Sequence, residues 1–347
     1  MKIVFSHKSA LEYWRLHSNI NISDTAKKRR CRLPATIPHI SEISNIVPEG
    51  LSYPVSLLIN NQKAKRKSRI VKTRVYTKPT PDWGIVDLGN DVAVSSPEFC
   101  FFQMAGEISL IKLIELGYEL CGTYSKLVKN VKNQEHNSRR EQEHNNKHEQ
   151  EYINGYEVNQ KLETKKSANY GHSKITSTKD LGMMTKRLKG MQGQRNASRA
   201  VKYIDDGSAS PMETILIMLL SLPQNLGGYG LSAPELNFRI DLGKIARKGS
   251  QKSYYVCDLY WPESKLAVEY DSDKFHTGAD HIAKDSMKRA DLAAQGITVL
   301  TVTSRQIRNV FELDGFAKLV AAKLGIQLRY RNPEFPEAQY GLRKQLL

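Results

Sequence analysis

The stretch Tyr254–His276, YYVCDLYWPESKLAVEYDSDKFH, decides how this chain is read. Val256, Leu266 and Val268 mark two short runs as core strands, yet Asp258, Glu269 and Asp271 punctuate them with carboxylates. Pairing Tyr254–Tyr260 with Lys265–Asp271 as a hairpin around Trp261-Pro262-Glu263-Ser264 sets Tyr260 across from Lys265 and Asp258 across from Ala267. Side chains alternate faces along a strand, so Ala267, Glu269 and Asp271 then share the face of Asp258. Glu269 becomes the diagonal neighbour of Asp258 at a backbone separation of about 7 to 8 Å, close enough for both carboxylates to touch one divalent cation. A loop one residue longer or shorter turns Asp258 to the opposite face. A single carboxylate at a strand end is ordinarily solvated surface. Three on one face, between residues that mark the strands as core, argue for a site.

Beyond Asp271 come His276, a helical stretch carrying Asp285 and Arg289, and Gly296 leading into the apolar run Ile297–Thr303. Together with Asp258 and Glu269-x-Asp271, this succession resembles the PD-(D/E)XK nuclease superfamily, nearest its very-short-patch-repair (Vsr) endonuclease-like branch, over Ser210–Gly325. The resemblance implies an α/β fold, a restriction-endonuclease-like mixed sheet flanked by helices. It also implies hydrolysis of DNA phosphodiesters that depends on Mg²⁺ (or Mn²⁺), with Asp258 and Glu269 as metal ligands. The family pattern ends in Glu-x-Lys, whose lysine orients or activates the attacking water, and Asp271 stands in that place. Vsr-like relatives lack the lysine too and use histidine, which makes His276 the candidate acid/base or phosphate contact. A neutral imidazole near pH 7 suits that role. Lys274, in the same following loop, is a second candidate. The plain alternatives are a half-exposed loop histidine and a solvated lysine.

Members of the family also carry a carboxylate on the first core helix that joins the metal site, and Glu213 is the residue they would claim. Its context offers a structural task as well: Ser210-Pro211-Met212-Glu213 reads as N-cap, N1 proline, N2 and N3, a capping box. The two roles are compatible. Thr214–Leu220 is apolar all round and predicts a helix buried against the sheet. The glycine-rich turn Leu226–Leu231 lacks the Gly-Lys-Ser/Thr ending of a phosphate loop. Ala279–Gln295 reads as a helix with Ile282, Ser286, Ala290 and Ala293 toward the sheet. Lys284, Asp285, Lys288 and Arg289 fall on its other face, where the cations meet either phosphate or solvent. Ile297–Val302 reads as a covered strand and Asn309–Leu324 as a last amphipathic helix, followed by a polar tail.

The chain has 347 residues, 40% of them hydrophobic, enough for two domains with real cores. Its formal net charge is +16, which favours a polyanionic partner and says nothing about fold. Much of that excess is local. Leu51–Pro81 holds no acid and eight cations, among them Lys63, Lys65, Arg66, Lys67, Arg69, Lys72 and Arg74. Ile70–Thr77 has strand composition, with Lys72, Arg74 and Tyr76 on one face. Such a cationic and aromatic comb suits a sugar-phosphate backbone; a lysine-guarded edge strand would read similarly. A second basic run, Lys27–Arg32, lies in a loop-like stretch. No basic amphipathic helix with bulky apolar partners is legible, which argues against a membrane. Cys31, Cys100, Cys121 and Cys257 show no Cys-x-x-Cys spacing and predict reduced, buried thiols. The start lacks a signal-peptide apolar region, so the expectation is a cytoplasmic protein.

Lys132–Glu151 contains no hydrophobic residue and cannot bury enough surface to order itself. The division expected is therefore a basic N-terminal α+β domain over 1–130, a polar linker over 131–178 and a nuclease-like domain over 179–347 with its core at 210–325. In the N-terminal half, a capped helix over Ser6–Arg15, a hairpin over Ile85–Val94, a helix capped by Ser96-Pro97-Glu98 and another helix to Gly117 are legible. This order resembles the AbiEi type of antitoxin and transcriptional regulator, and implies DNA contact by that half. Three function classes follow: a Mg²⁺-dependent DNA endonuclease, a non-cleaving DNA-binding regulator that retains a degenerate nuclease fold, and an antitoxin-like protein whose basic surface meets an acidic protein partner.

Overall fold

The computed structural model of the chain describes residues 3–19, 28–29, 32–126, 168–242, 252–271 and 279–347. Lys274, His276, Cys31 and most of the expected linker lie outside the described residues. The chain is of α/β class, with mixed sheets flanked by helices. Contacts gather it into two units: Met1–Glu107 with Ser125–Thr176 and Met183–Gln194, and Ile108–Tyr124 with Ser177–Gly182 and Arg195–Leu347. Ile108–Tyr124, on the N-terminal side of the expected boundary, thus packs within the second unit. The cause is its helix Leu110–Leu120, whose Leu113 and Ile114 are fully buried. Just beyond, the Tyr124 hydroxyl bonds the Thr214 hydroxyl at 2.9 Å.

The first unit is built on a six-stranded mixed sheet in the order β2-β5-β6-β1-β3-β4. Its strands are β1 (Ile3–Phe5), β2 (Lys28–Arg29), β3 (Val55–Ile59), β4 (Val71–Val75), β5 (Ile85–Gly89) and β6 (Val92–Ser95). Lys28 and Arg29, expected in a loop, pair with β5 as a short edge strand. The β5–β6 connection turns through Asn90 and Asp91 at φ 50° and 62°, the left-handed pair that two-residue hairpin turns demand and that short polar side chains tolerate. Helix Pro97–Met104 follows, with proline in its first turn and the Ser96 side chain accepting from the Phe99 amide. Strand β4 closes one edge, where residues 66–68 shield it: the Thr73 amide donates to Arg66 O at 2.9 Å and the Ser68 amide to Val71 O at 2.8 Å. A separate ribbon pairs β7 (Tyr124–Lys126) with β8 (Ala168–Tyr170).

The second unit holds a four-stranded sheet in the order β12-β11-β10-β9, made of β9 (Glu235–Asp241), β10 (Tyr254–Trp261), β11 (Leu266–Asp271) and β12 (Thr298–Thr303). β9, β10 and β11 are antiparallel neighbours, and β12 runs parallel to β11 after the crossover helix Ala279–Ala293. Helix Pro211–Ser221, buried over Glu213–Leu220, packs on β10 and β11. The expected hairpin is present with its register moved by two residues: Tyr260 faces Ala267 and Trp261 faces Leu266. Trp261 stays in the strand because its ring is buried and its Nε1 donates to Ser232 O at 2.8 Å. Pro262, which has no amide to give a ladder, opens the turn instead, and Lys265 closes it at φ 46°. A slip of two preserves which face each side chain takes.

The polar tail contains a helix that the sequence reading omits, Phe335–Leu346. It buries Phe335, Leu342 and Leu346, and the Arg343 guanidinium donates to Ile307 O at 3.0 Å and to Arg308 O, satisfying carbonyls at a helix end. The three described cysteines, Cys100, Cys121 and Cys257, are buried. Among the described residues no helix is long and apolar enough to cross a membrane.

Candidate functional site

Along β11, Leu266, Ala267 and Val268 are fully buried, and the strand emerges from the core at Glu269. Continuing the hairpin register by one residue sets Glu269 directly across from Asp258, where side chains lie about 5 Å apart at Cβ rather than on the diagonal. Here the ladder is completed by a side chain: the Tyr270 amide donates to Asp258 Oδ2 at 2.8 Å. On the other side of Asp258, pairing of Cys257 with Phe238 and of Leu259 with Leu236 brackets Asn237. Asn237 sits at φ 48° and its Nδ2 donates to Glu213 Oε2 at 2.8 Å and to Gly207 O at 3.0 Å. Asp258 is thus flanked by Glu269 and by the Asn237–Glu213 pair.

Glu213 takes the N3 position read for it in the helix cap. The Ser210 side chain accepts from its amide at 3.1 Å, as a cap should, while its own carboxylate turns to the Ala209 amide at 2.9 Å and to Asn237. The same carboxylate is near enough to Asp258 to act on its ionisation.

Helix Ala279–Ala293 shows the opposite face to the one its pattern predicts. Ser286, Ala290 and Ala293 are exposed, and Asp285, Lys288, Asp291 and Leu292 turn inward. The inward polar groups are matched by the sheet. Lys288 Nζ reaches Glu269 Oε2 at 2.8 Å and donates to Val256 O at 2.8 Å, and the Tyr255 hydroxyl donates to Asp291 Oδ2 at 2.9 Å. A hydrophobic stripe is therefore a poor guide where the sheet itself presents charge. Arg289, offered for phosphate contact, lies apart from the acids and lines a shallow hollow with Thr298 and Val299.

Electrostatics single out Asp258. Burial, then the Glu269 and Glu213 carboxylates, push its pKa up to about 8, and the Tyr270 amide and Lys288 offset this only in part. For Lys288 burial alone would lower the pKa; the Glu269 carboxylate outweighs it and the net shift is upward. The Cys257 thiol is pushed up to about 12 by burial first and by Glu269 second, so it stays protonated. Asp271, at the end of β11, is not among the charges that shift Asp258.

The donor set has the chemistry of a hard divalent cation: Asp258, Glu269 and Glu213 offer carboxylate oxygens. Glu269 Oε1 is buried and accepts no hydrogen bond among the described residues, an orphan that a cation would satisfy. Among those residues no group of three His, Cys, Asp or Glu side chains is gathered tightly enough to hold a metal, and Lys288 serves as the counter-ion of Glu269.

Two residues of the cluster escape the sequence reading. For Lys288 the apolar spacing of its helix predicts the outward face. Asn237 belongs to β9, which the sequence reading omits although Glu235–Asp241 alternates polar and apolar side chains through seven residues.

The basic residues of the first unit converge less completely than expected. Lys72, Arg74 and Tyr76 border one cleft together with Lys65, Arg66 and Lys67, whereas Lys63 and Arg69 do not line it.

No family model and no solved structure matches the chain. Two uncharacterized proteins of Mycobacterium tuberculosis, from strains CDC 1551 and H37Rv, are each 25% identical to it over 120 residues. The similarity covers 35% of this chain, and the chain spans 40% of the length of each relative.

Proposed function

We propose that this chain is a Mg²⁺-dependent DNA endonuclease of restriction-endonuclease-like, Vsr-like architecture acting in the cytoplasm. One observation carries the reading: where β10 and β11 leave the core just past the Leu259–Val268 pair, Asp258 lies close enough to Glu269 and to Glu213 for both carboxylates to act on it. Keeping like charges together destabilises a fold unless something of opposite sign is bound, and perturbed carboxylates of this kind cluster at functional sites.

Asp258, Glu269 and Glu213 would hold the ion. When bound, Mg²⁺ or Mn²⁺ supplies Lewis-acid stabilisation of the charge that develops on a phosphodiester. Lys288 supports the reading from the chain's side. In the family pattern the lysine follows Glu by two positions; here Asp271 has that place and Lys288 delivers an ammonium to Glu269 from the crossover helix. With two of its N–H groups on Glu269 and the Val256 carbonyl, its third can orient an attacking water or a phosphate oxygen. His276 and Lys274 are kept as the proton-handling candidates that the resemblance implies. The test is plasmid nicking with Mg²⁺ or Mn²⁺. Wild type is expected to nick, Glu269→Ala and Asp258→Ala to lose nicking while retaining DNA, and equal nicking by wild type and Glu269→Ala overturns the mechanism.

The Glu269–Lys288 ion pair also favours a second reading, since an acid cluster already carrying its own cation suits a DNA-binding regulator that has lost the metal. Operator retention without cleavage of any substrate, with or without Mn²⁺, would decide for it.

A further inference from the structure

We propose that the cleft bordered by β4 in the first unit is a nucleotide pocket, with a phosphate held by Lys72 and Arg74 and a planar base set against Tyr76. The cleft encloses about 540 Å³, well within the range of small-molecule sites and far larger than an inorganic ion needs. Five cations border it, Lys65, Arg66, Lys67, Lys72 and Arg74, against one acid, Glu107. Arg74 takes that acid, its Nη2 donating to Glu107 Oε2 at 2.6 Å, and among the described residues the other four meet no carboxylate.

Two details point to a missing acceptor. Arg74 Nε is buried and donates to nothing among the described residues, although a guanidinium N–H removed from water ordinarily finds an oxygen. His7 enters the same cleft from the start of helix His7–Leu16, with its backbone at φ 51°. Its ring is held neutral, its pKa lowered to about 3 by burial, Arg74 and Lys72, so the cleft gathers cations around an imidazole that cannot join them.

Tyr76 follows Lys72 and Arg74 on one face of the same segment and gives the cleft an aromatic side backed by buried rings. Tyr76 meets Phe99 edge to face with ring centroids 5.3 Å apart, and Phe102 lies beside them. A charged fork next to a π surface is the combination that takes phosphate and base of one nucleotide together. A depression of this depth suits a single unstacked unit, either a free mononucleotide or one nucleotide of a strand, better than a continuous duplex backbone. This inference is independent of the acids in the second unit.

The experiment is calorimetric titration of the full chain with deoxyadenosine 5′-monophosphate, deoxyadenosine, inorganic phosphate and a ten-nucleotide single strand. The monophosphate is expected to bind roughly five- to a hundredfold more tightly than inorganic phosphate, the span that base–aromatic stacking supplies. Lys72→Ala should weaken it about tenfold, as loss of a charge-assisted bond does, and Tyr76→Ala should erase its preference over phosphate. A strand that binds no more tightly than the mononucleotide identifies a free nucleotide as ligand; a strand at least about tenfold tighter identifies a nucleotide within a chain. Both weaken in Lys72→Ala. Glu269→Gln, altered only at the acid cluster, should bind as wild type does even if no nuclease activity exists. Inorganic phosphate binding as tightly as the monophosphate, or Lys72→Ala binding unchanged in a variant that melts like wild type, overturns the proposal.

Discussion

The acid cluster of the second unit and the basic cleft of the first are built alike with signs reversed. In one, burial and two carboxylates keep Asp258 from ionising, and Lys288 is the counter-ion of its neighbour Glu269. In the other, burial and two cations keep His7 from protonating, and Glu107 is the counter-ion of its neighbour Arg74. Each assembly crowds one sign of charge, supplies a single opposite charge, and forces the group in the middle to neutrality. Desolvation works against ionisation in both, so the sign of the surroundings decides only what would relieve them. A hard cation would relieve the first and an oxyanion the second.

The widest separation expected between the two is in cleavage. Glu269→Gln should slow metal-dependent nicking by a factor on the order of 10³ or more, the several kcal/mol that a bound ion supplies, and leave DNA retention within about twofold. Joint replacement of Lys65 and Lys72 by alanine should do the reverse, flattening the slope of log K against log salt by about 1.4 to 1.8 for two lost phosphate contacts. If the two variants fail in the same assay, the sites are not distinct.

Removing a counter-ion tests the crowding itself. Lys288→Met leaves Glu269 facing Asp258 and Glu213 without relief and should cost about 2 to 3 kcal/mol in denaturant unfolding. Lys288→Arg should recover most of that stability. Unchanged midpoints in Lys288→Met would mean that the acids are solvated and independent.

Titration separates the two assemblies by sign. Asp258 has a folded pKa above its unfolded value, so the native state holds the extra proton and stability falls as pH rises from 4 towards 8. In EDTA, Asp258→Asn should melt like wild type near pH 4 and higher than wild type at pH 8. His7 has its folded pKa below its unfolded value, so stability is complete above about 6.5 and is lost as pH falls towards 3. His7→Gln should flatten that acid limb and leave melting at pH 8 little changed. Parallel pH profiles for Asp258→Asn and His7→Gln would break the symmetry drawn here.

How far these sites were legible in the sequence follows from what each signal measures. The hairpin, the helix at Ser96-Pro97 and the cap at Ser210 rest on local chemistry of a few adjacent residues and are found where expected. The register within the hairpin was off by two because the turn is set by which residue lacks an amide and by where the Trp261 ring is buried, and the second of these is a tertiary fact. The inward face of helix Ala279–Ala293 was reversed because apolar spacing presumes an apolar floor, and this floor carries Glu269 and the Val256 carbonyl. The last helix was missed because its buried Phe335, Leu342 and Leu346 are spread through a polar stretch. Nothing in a linear pattern announces that Lys288 will meet an acid nineteen positions upstream.

The glycine pair that follows the turn Gln224–Leu226, beyond helix Pro211–Ser221, has a consequence for anyone mapping this protein by saturation mutagenesis. A Cβ at Gly227 would stand 2.3 Å from the Ala338 carbonyl oxygen, and one at Gly228 would stand 2.1 Å from that of Leu222. Neither collision can be relieved by a rotamer change, because backbone is on both sides of it. A screen scoring activity alone would rank these two positions beside the acids. The turn would then be taken for a phosphate loop, when what it supplies is clearance, at Gly227 for helix Phe335–Leu346 and at Gly228 for the end of the helix that carries Glu213.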